Sequence, residues 1–182
     1  MLADEAMGGL GCTDASSASL EGDSDVSDEL QIERATLEDL DRLTELFEAY
    51  RAFYECEPAP ERARAYLRTR LERDEAIVLN AIRTEGGTRT ILGFTQLYPT
   101  WESLEMGPMF VLYDLFVDPA GRGLGIGRAL LDAGVAYAKE HDAVVVMLET
   151  SKTNTVAKSL YESAGWKLER EFDTYLYELD GS

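Results

Sequence analysis

The stretch VDPAGRGLGIGRALLDA, residues 117–133, most constrains what this chain can fold into. It places four glycines, Gly121, Gly123, Gly125 and Gly127, within seven residues, between a strand-like run and a helix-like run. Glycine is unfavourable inside either element, so this density calls for a backbone that something approaches closely. Three readings compete: a phosphate cradle, the turn of a dinucleotide fold, and an ordinary tight turn. A strand, a glycine loop and a helix start suit a phosphate, because the free amides of the first helical turn and the helix macrodipole both favour negative charge. Arg122 and Arg128 flank the loop and are placed to pair with phosphate oxygens. The glycines from Gly123 onward run G-x-G-x-G, whereas a dinucleotide fingerprint runs G-x-G-x-x-G, and a P-loop needs a lysine that is missing here. A plain turn needs only one or two glycines.

The elements around the loop follow from hydrophobic periodicity. QIERAT, residues 31–36, reads as a first strand. Thr36 followed by Asp39 resembles a capping box and opens a helix, along which Leu37, Leu40, Leu43, Phe47, Tyr50 and Tyr54 recur at helical spacing. EPAP, residues 57–60, breaks it, and a second helix runs from about Glu61 to Arg73. AIVLNAIRT reads as a strand, EGG as a hairpin turn, and TRTILGFTQLYPT as a long strand ending near Pro99. GPMFVLYDLFVD is the strand that enters the glycine loop. After it come a helix from about Gly125 to Glu140, a continuous apolar run AVVVMLET read as a buried strand, and a helix from Asn154 to Ala164. WKLEREFDTYLYEL alternates as two closing strands. The order β-α-α-β-β-β-α-β-α-β-β predicts an α/β (α+β) domain over residues 31–182.

Charge and composition bound the partners. The net charge is −18, of which residues 1–30 supply −8 with no Lys or Arg, leaving −10 on the body. That first segment predicts an acidic disordered tail. Nucleic acid is an unsuitable partner for so acidic a chain, since phosphate binding needs a basic face. The acidity reads as a solubility or high-salt adaptation, or as attraction of a cationic substrate. No apolar run is long enough to span a membrane, and no signal peptide is expected. Cys12 and Cys56 imply no disulfide framework, which makes the cytoplasm the expected compartment. With His141 as the single histidine, no metal cluster is expected.

Arg122-Gly123-Leu124-Gly125-Ile126-Gly127 resembles the R-x-x-G-x-G/A signature of the GCN5-related N-acetyltransferases, the GNAT family. NTVAKSLYESAGW, residues 154–166, resembles the family's second signature, and one helix and one strand separate the two, as in the family. The resemblance implies a central mixed, mostly antiparallel sheet of about seven strands with four helices, splayed between the fourth and fifth strands. It implies acetyl-CoA as donor, its pyrophosphate on the loop amides from Arg122 to Arg128, and its pantetheine arm paired with Leu115, Phe116 and Val117. Asn154 would contact the arm, and Ala157 is small where the coenzyme passes. Tyr161 matches the family's general acid, which protonates the departing thiolate. Homodimers are common in this family, and the oligomeric state stays open.

The amine nucleophile must be neutral to attack, and a base assists. Asp114 on the central strand and Glu149 near the end of the next are the candidates. The acceptor site would be framed by the first two helices and the bend before the central strand, where Tyr50, Tyr54, Trp101 and Glu102 suit a cationic amine through cation–π and charge contacts. Glu105 and the neighbouring Phe53, Glu55 and Glu57 belong to the same frame. AYRAFYE, residues 49–55, also resembles a subgroup that includes yeast histone and polyamine acetyltransferase relatives. The expected activity is transfer of acetyl to a small amine, polyamine, amino acid or lysine side chain by direct attack in a ternary complex. The alternatives are another acyl donor and a non-catalytic CoA-binding or regulatory module.

Overall fold

The computed structural model describes residues 29–179. The acidic tail predicted over 1–30 lies outside the described residues, except for Glu29 and Leu30, which open the first strand. Strands β1 (Glu29–Arg34), β2 (Ile77–Glu85), β3 (Thr88–Glu102), β4 (Gly107–Val117) and β5 (Val145–Leu148) form one sheet in that spatial order. Neighbours are antiparallel except β4 and β5, which are parallel. Helices α1 (Leu40–Phe53), α2 (Pro60–Glu72), α3 (Ile126–Glu140) and α4 (Thr155–Ser163) complete the fold. None among the described residues is long and apolar enough to cross a membrane.

Local chemistry explains the boundaries. The Thr36 amide donates to Asp39 Oδ2 at 2.9 Å and the Glu38 amide to Thr36 Oγ1 at 3.3 Å, so the predicted capping box is formed and launches a 3-10 turn that runs into α1. Pro60 takes the first position of α2, where its missing N–H is harmless. Glu48 pairs with Arg51 and accepts from the Ala59 amide at 2.8 Å, clamping the α1–α2 link. Alternation in β2 builds two cores. Val78 and Ile82 join Leu43, Leu46, Leu67 and Phe94 beneath α1 and α2, while Ile77 and Leu79 join Leu97, Leu112 and Leu131 beneath α3.

The structure departs from the sequence reading in three places. β3 does not end near Pro99 but continues to Glu102, with Pro99 opposite Phe110. β2 stops at Ile77, opposite Leu97, so β3 beyond that point is an edge, where proline's missing donor is tolerated. AVVVMLET is not a buried strand throughout. Only Val145–Leu148 is strand, and Val145 and Met147 are 40% and 38% exposed, because one face of β5 is uncovered while Val146 and Leu148 on the other pack against the core. WKLEREFDTYLYEL forms no strand, so the described residues hold five strands rather than about seven. At its start the amides of Arg170 and Glu171 turn onto the Glu169 side chain instead of a neighbouring ladder.

Candidate active site

β4 pairs with β3 from Gly107 to Val117, but with β5 only through Met109–Leu112. Beyond Leu112 the two parallel strands part. The register of β3 and β4 shifts beside Gln96 and Leu97, an irregularity that re-aims β4 at this point. The Tyr113 carbonyl is taken by the Tyr50 hydroxyl at 3.5 Å and the Asp114 carbonyl by Thr95 Oγ1 at 2.9 Å, so the side of β4 turned away from β3 presents an open edge from residue 115 to 117. Leu115, Phe116 and Val117 lie on this open edge, each half-buried.

The edge runs directly into the glycine loop. Asp118 caps a 3-10 turn, Pro119–Gly121, its Oδ1 accepting from the Ala120 amide at 2.9 Å. Gly121 is so tightly held that a Cβ would lie 2.9 Å from Ile126 Cδ1 and 3.2 Å from Leu92 Cβ. Gly123 and Gly125 differ: they take φ 78° and 76°, and a Cβ at either would point into open space. Leu124, between them, is exposed. The Ala129 amide is the first to close a turn of α3, onto the Gly125 carbonyl at 3.0 Å. The amides of Ile126, Gly127 and Arg128 are thus left without an intrahelical acceptor at the positive end of a 15-residue helix. Arg122 lies close enough to Asp118 to favour its charge. The Arg128 side chain is already engaged, its Nε on Asp132 at 2.7 Å and an Nη on the Ser163 carbonyl at 3.3 Å.

α4 borders the same gap. Asn154 caps it, Oδ1 accepting from the Ala157 amide at 3.1 Å. Gly127 faces α4, where a Cβ would meet Leu160 Cδ2 at 3.5 Å. Tyr161 packs on Trp166 with ring centroids 6.3 Å apart, and Thr150 lies near enough to its hydroxyl to act on it. Burial and the neighbouring Tyr54 hydroxyl push the Tyr161 phenol up, against the opposing effect of Thr150.

Asp114 stands just before the open edge, on the face covered by α1. Burial pushes its carboxyl up to about 6, and the nearby Tyr50 hydroxyl, which donates to the Tyr113 carbonyl at 3.5 Å, holds back a larger rise. Burial, and then the Asp114 charge, push the Tyr50 phenol up in turn. Tyr54 meets the Tyr50 ring edge-on at 5.2 Å. Tyr98 joins from β3: its hydroxyl accepts from the Gln96 amide and shares a hydrogen bond with Tyr66 of α2. Tyr50, Tyr54, Asp114 and Tyr161 are thus brought together from α1, β4 and α4. The group offers a carboxylate that changes charge near neutrality, beside the phenols of Tyr50 and Tyr161, which burial pushes up and so keeps protonated at neutral pH.

Other predicted residues are not part of this group. Trp101 is 72% exposed near the end of β3, opposite Pro108, which is six residues before Asp114 along β4 and so about 20 Å away. Glu102 accepts from the Leu104 amide at 3.0 Å, a contact local to the β3–β4 bend. Glu149 is exposed just after β5, and its neighbour Thr150 is the residue that reaches Tyr161. Tyr98, Gln96 and Thr150 were not anticipated. For Tyr98 and Gln96 a signal existed, since they share the period-two face of β3 with Phe94.

The model of the acetyltransferase (GNAT) family matches residues 41–166. The uncharacterized N-acetyltransferase YhfO of Bacillus subtilis (strain 168) is 38% identical over 146 residues, which span 80% of this chain and 95% of that protein. A crystal structure described as a probable acetyltransferase aligns with a TM-score of 0.77 at 36% identity, covering 84% of this chain and 99% of the other. The aminoglycoside N-acetyltransferase AAC(6')-Iy in complex with CoA aligns with a TM-score of 0.69 at 17% identity, covering 84% of this chain and 97% of the other, a likeness of fold alone.

Proposed function

The chain belongs to the acetyltransferase (GNAT) family, and from that premise we propose that it transfers acetyl from acetyl-CoA to a primary amine by direct attack in a ternary complex. One observation carries this reading: the open edge of β4 leads without interruption from Asp114 into the amide-rich loop. A pantetheine arm is peptide-like and matches an unpaired strand edge. The pyrophosphate would lie on the amides at Ile126, Gly127 and Arg128, with Arg122 beside them.

The thioester carbonyl would then fall at the head of the edge, between Asp114 and Tyr161. Asp114 takes a proton from the amine, directly or through water, as the nitrogen attacks. Tyr161 gives a proton to the departing thiolate. Tyr50 orients Asp114 and, with Tyr54, walls the acceptor. Aromatic rings beside one carboxylate suit a cationic amine before it is deprotonated. Asn154 and Ala157 border the arm where it passes α4. Membership of the GNAT family and the naming of YhfO as an N-acetyltransferase support acetyl transfer to nitrogen.

The test is release of CoA from acetyl-CoA, followed with a thiol reagent, across polyamines, amino acids, aminoglycosides and a lysine peptide. Acceleration by one class is the expected outcome. Silence across the panel with tight acetyl-CoA binding by calorimetry would replace the transferase reading with that of a CoA sensor.

A further inference from the structure

Arg42 sits in the first turn of α1, where a cation opposes the helix macrodipole. Its position is explained by what it reaches. Nε donates to the Ile91 carbonyl of β3 at 3.2 Å, one terminal nitrogen to Glu45 at 2.9 Å, and the other to Asp118 Oδ2 at 2.8 Å. The second Asp118 oxygen holds the Ala120 amide, and the Asp118 amide donates to the Leu92 carbonyl at 2.8 Å. Asp118 is therefore fixed from three directions at the point where β4 turns into the glycine loop.

A carboxylate at that point is an electrostatic problem. It stands at the entrance of a loop read here as a phosphate site, where negative charge repels the ligand. It also lies near Arg122, four residues on, which favours its charge and, among the described residues, makes no ion pair like that of Arg128 with Asp132. The carboxylate is nonetheless required, because its Oδ1 builds the turn that launches the loop.

We propose that Arg42 is a positioning residue for coenzyme binding: it occupies Asp118 Oδ2, neutralises that carboxylate, and leaves Arg122 to the pyrophosphate. The inference rests on the coenzyme reading of the loop. Without Arg42, Asp118 would draw Arg122 onto itself, and the loop would lose the cation it offers the anion. A role as a mere tie between α1 and β3 predicts none of the pattern below.

The experiment compares CoA, acetyl-CoA and S-acetylpantetheine, which lacks the pyrophosphate, on Arg42→Met, Asp118→Asn and the double variant, each checked for folding by its melting curve. Arg42→Met should weaken CoA binding about tenfold in calorimetry and raise KM for acetyl-CoA equally, with kcat and the KM for S-acetylpantetheine unchanged. Asp118→Asn keeps the capping oxygen and should shift CoA affinity by less than about threefold, and the double variant should return to that level. Arg42→Lys, which keeps the charge, should recover most of the affinity. Equal weakening toward both donors, or a double variant as weak as Arg42→Met, would overturn the proposal. Wild-type protein that binds S-acetylpantetheine as tightly as acetyl-CoA would instead overturn the phosphate reading of the loop.

Discussion

The hydroxyl of Tyr50, on α1, donates to the Tyr113 carbonyl of β4 at 3.5 Å and so lies beside the carboxylate of Asp114. The contact joins α1 to the strand that parts from β5 beyond Leu112. It also sets the balance that matters for catalysis. Burial favours the neutral acid, the phenol favours the carboxylate, and the result is a group that titrates near 6.

Asp114 should therefore govern the acid limb of the pH–rate profile. A base works only when ionised, so kcat/KM for the amine should rise through pH about 6 in the wild type. In Asp114→Asn that limb should vanish and the rate should fall by roughly 10²–10⁴-fold. Acetyl-CoA affinity, measured by calorimetry, should not change. A variant that retains the limb would remove Asp114 from proton transfer.

The same carboxylate makes a stability prediction of opposite sense. Its folded-state value lies above the ordinary 3.8, so the folded protein holds the proton longer than the unfolded chain. Stability is full below pH 3.8 and is lost as pH rises through about 6. The cost once ionised is roughly 2 kcal/mol, allowing for water at the half-buried group. Asp114→Asn should be more stable than wild type at pH 8 and no more stable at pH 4, read from urea midpoints. Tyr50→Phe should lower wild-type stability at pH 8, because it removes the hydroxyl that lies beside Asp114 and favours its charge.

Tyr161→Phe tests the leaving-group side. The phenol is pushed up by burial, so it stays protonated through neutral pH and can donate. Removing the hydroxyl should lower kcat by about 10²-fold or more with little change in acetyl-CoA binding. The ring contact with Trp166 survives in phenylalanine, so the melting temperature should hold. A kcat equal to wild type would leave Tyr161 as packing only.

Much of this site was legible in the chain because its parts are local. The glycine spacing and the Thr36–Asp39 box each fall within a few residues, so composition and spacing reveal them. What escaped depends on distance. Arg42 and Asp118 are 76 positions apart and meet only because α1 packs across β3 and β4. Trp101 and Glu102 have the right chemistry but stand farther out along the hairpin, because β3 runs on as an edge past Pro99. No local pattern marks how far a hairpin extends. The closing strands failed for a related reason: alternation in FDTYLYEL records a capacity to pair, and pairing also needs a partner edge in register.

The last prediction separates two glycines that look alike in the sequence. Gly125 combines φ 76° with open space, so Gly125→Glu costs the fold only about 1 kcal/mol of backbone strain. Its carboxylate would stand before the free amides of α3, and CoA binding should be abolished while the melting curve stays cooperative. Gly121 has the reverse constraint: its φ is ordinary, but a Cβ would press on Leu92 and on the end of the Ile126 side chain. Gly121→Ala should therefore destabilise the protein by about 1–3 kcal/mol through overpacking, with CoA affinity retained in the fraction that folds. Thermal melts and calorimetry on the two variants give opposite patterns if the loop holds an anion. Retained CoA binding in Gly125→Glu would place the phosphates elsewhere, because no other charge in that variant differs from wild type.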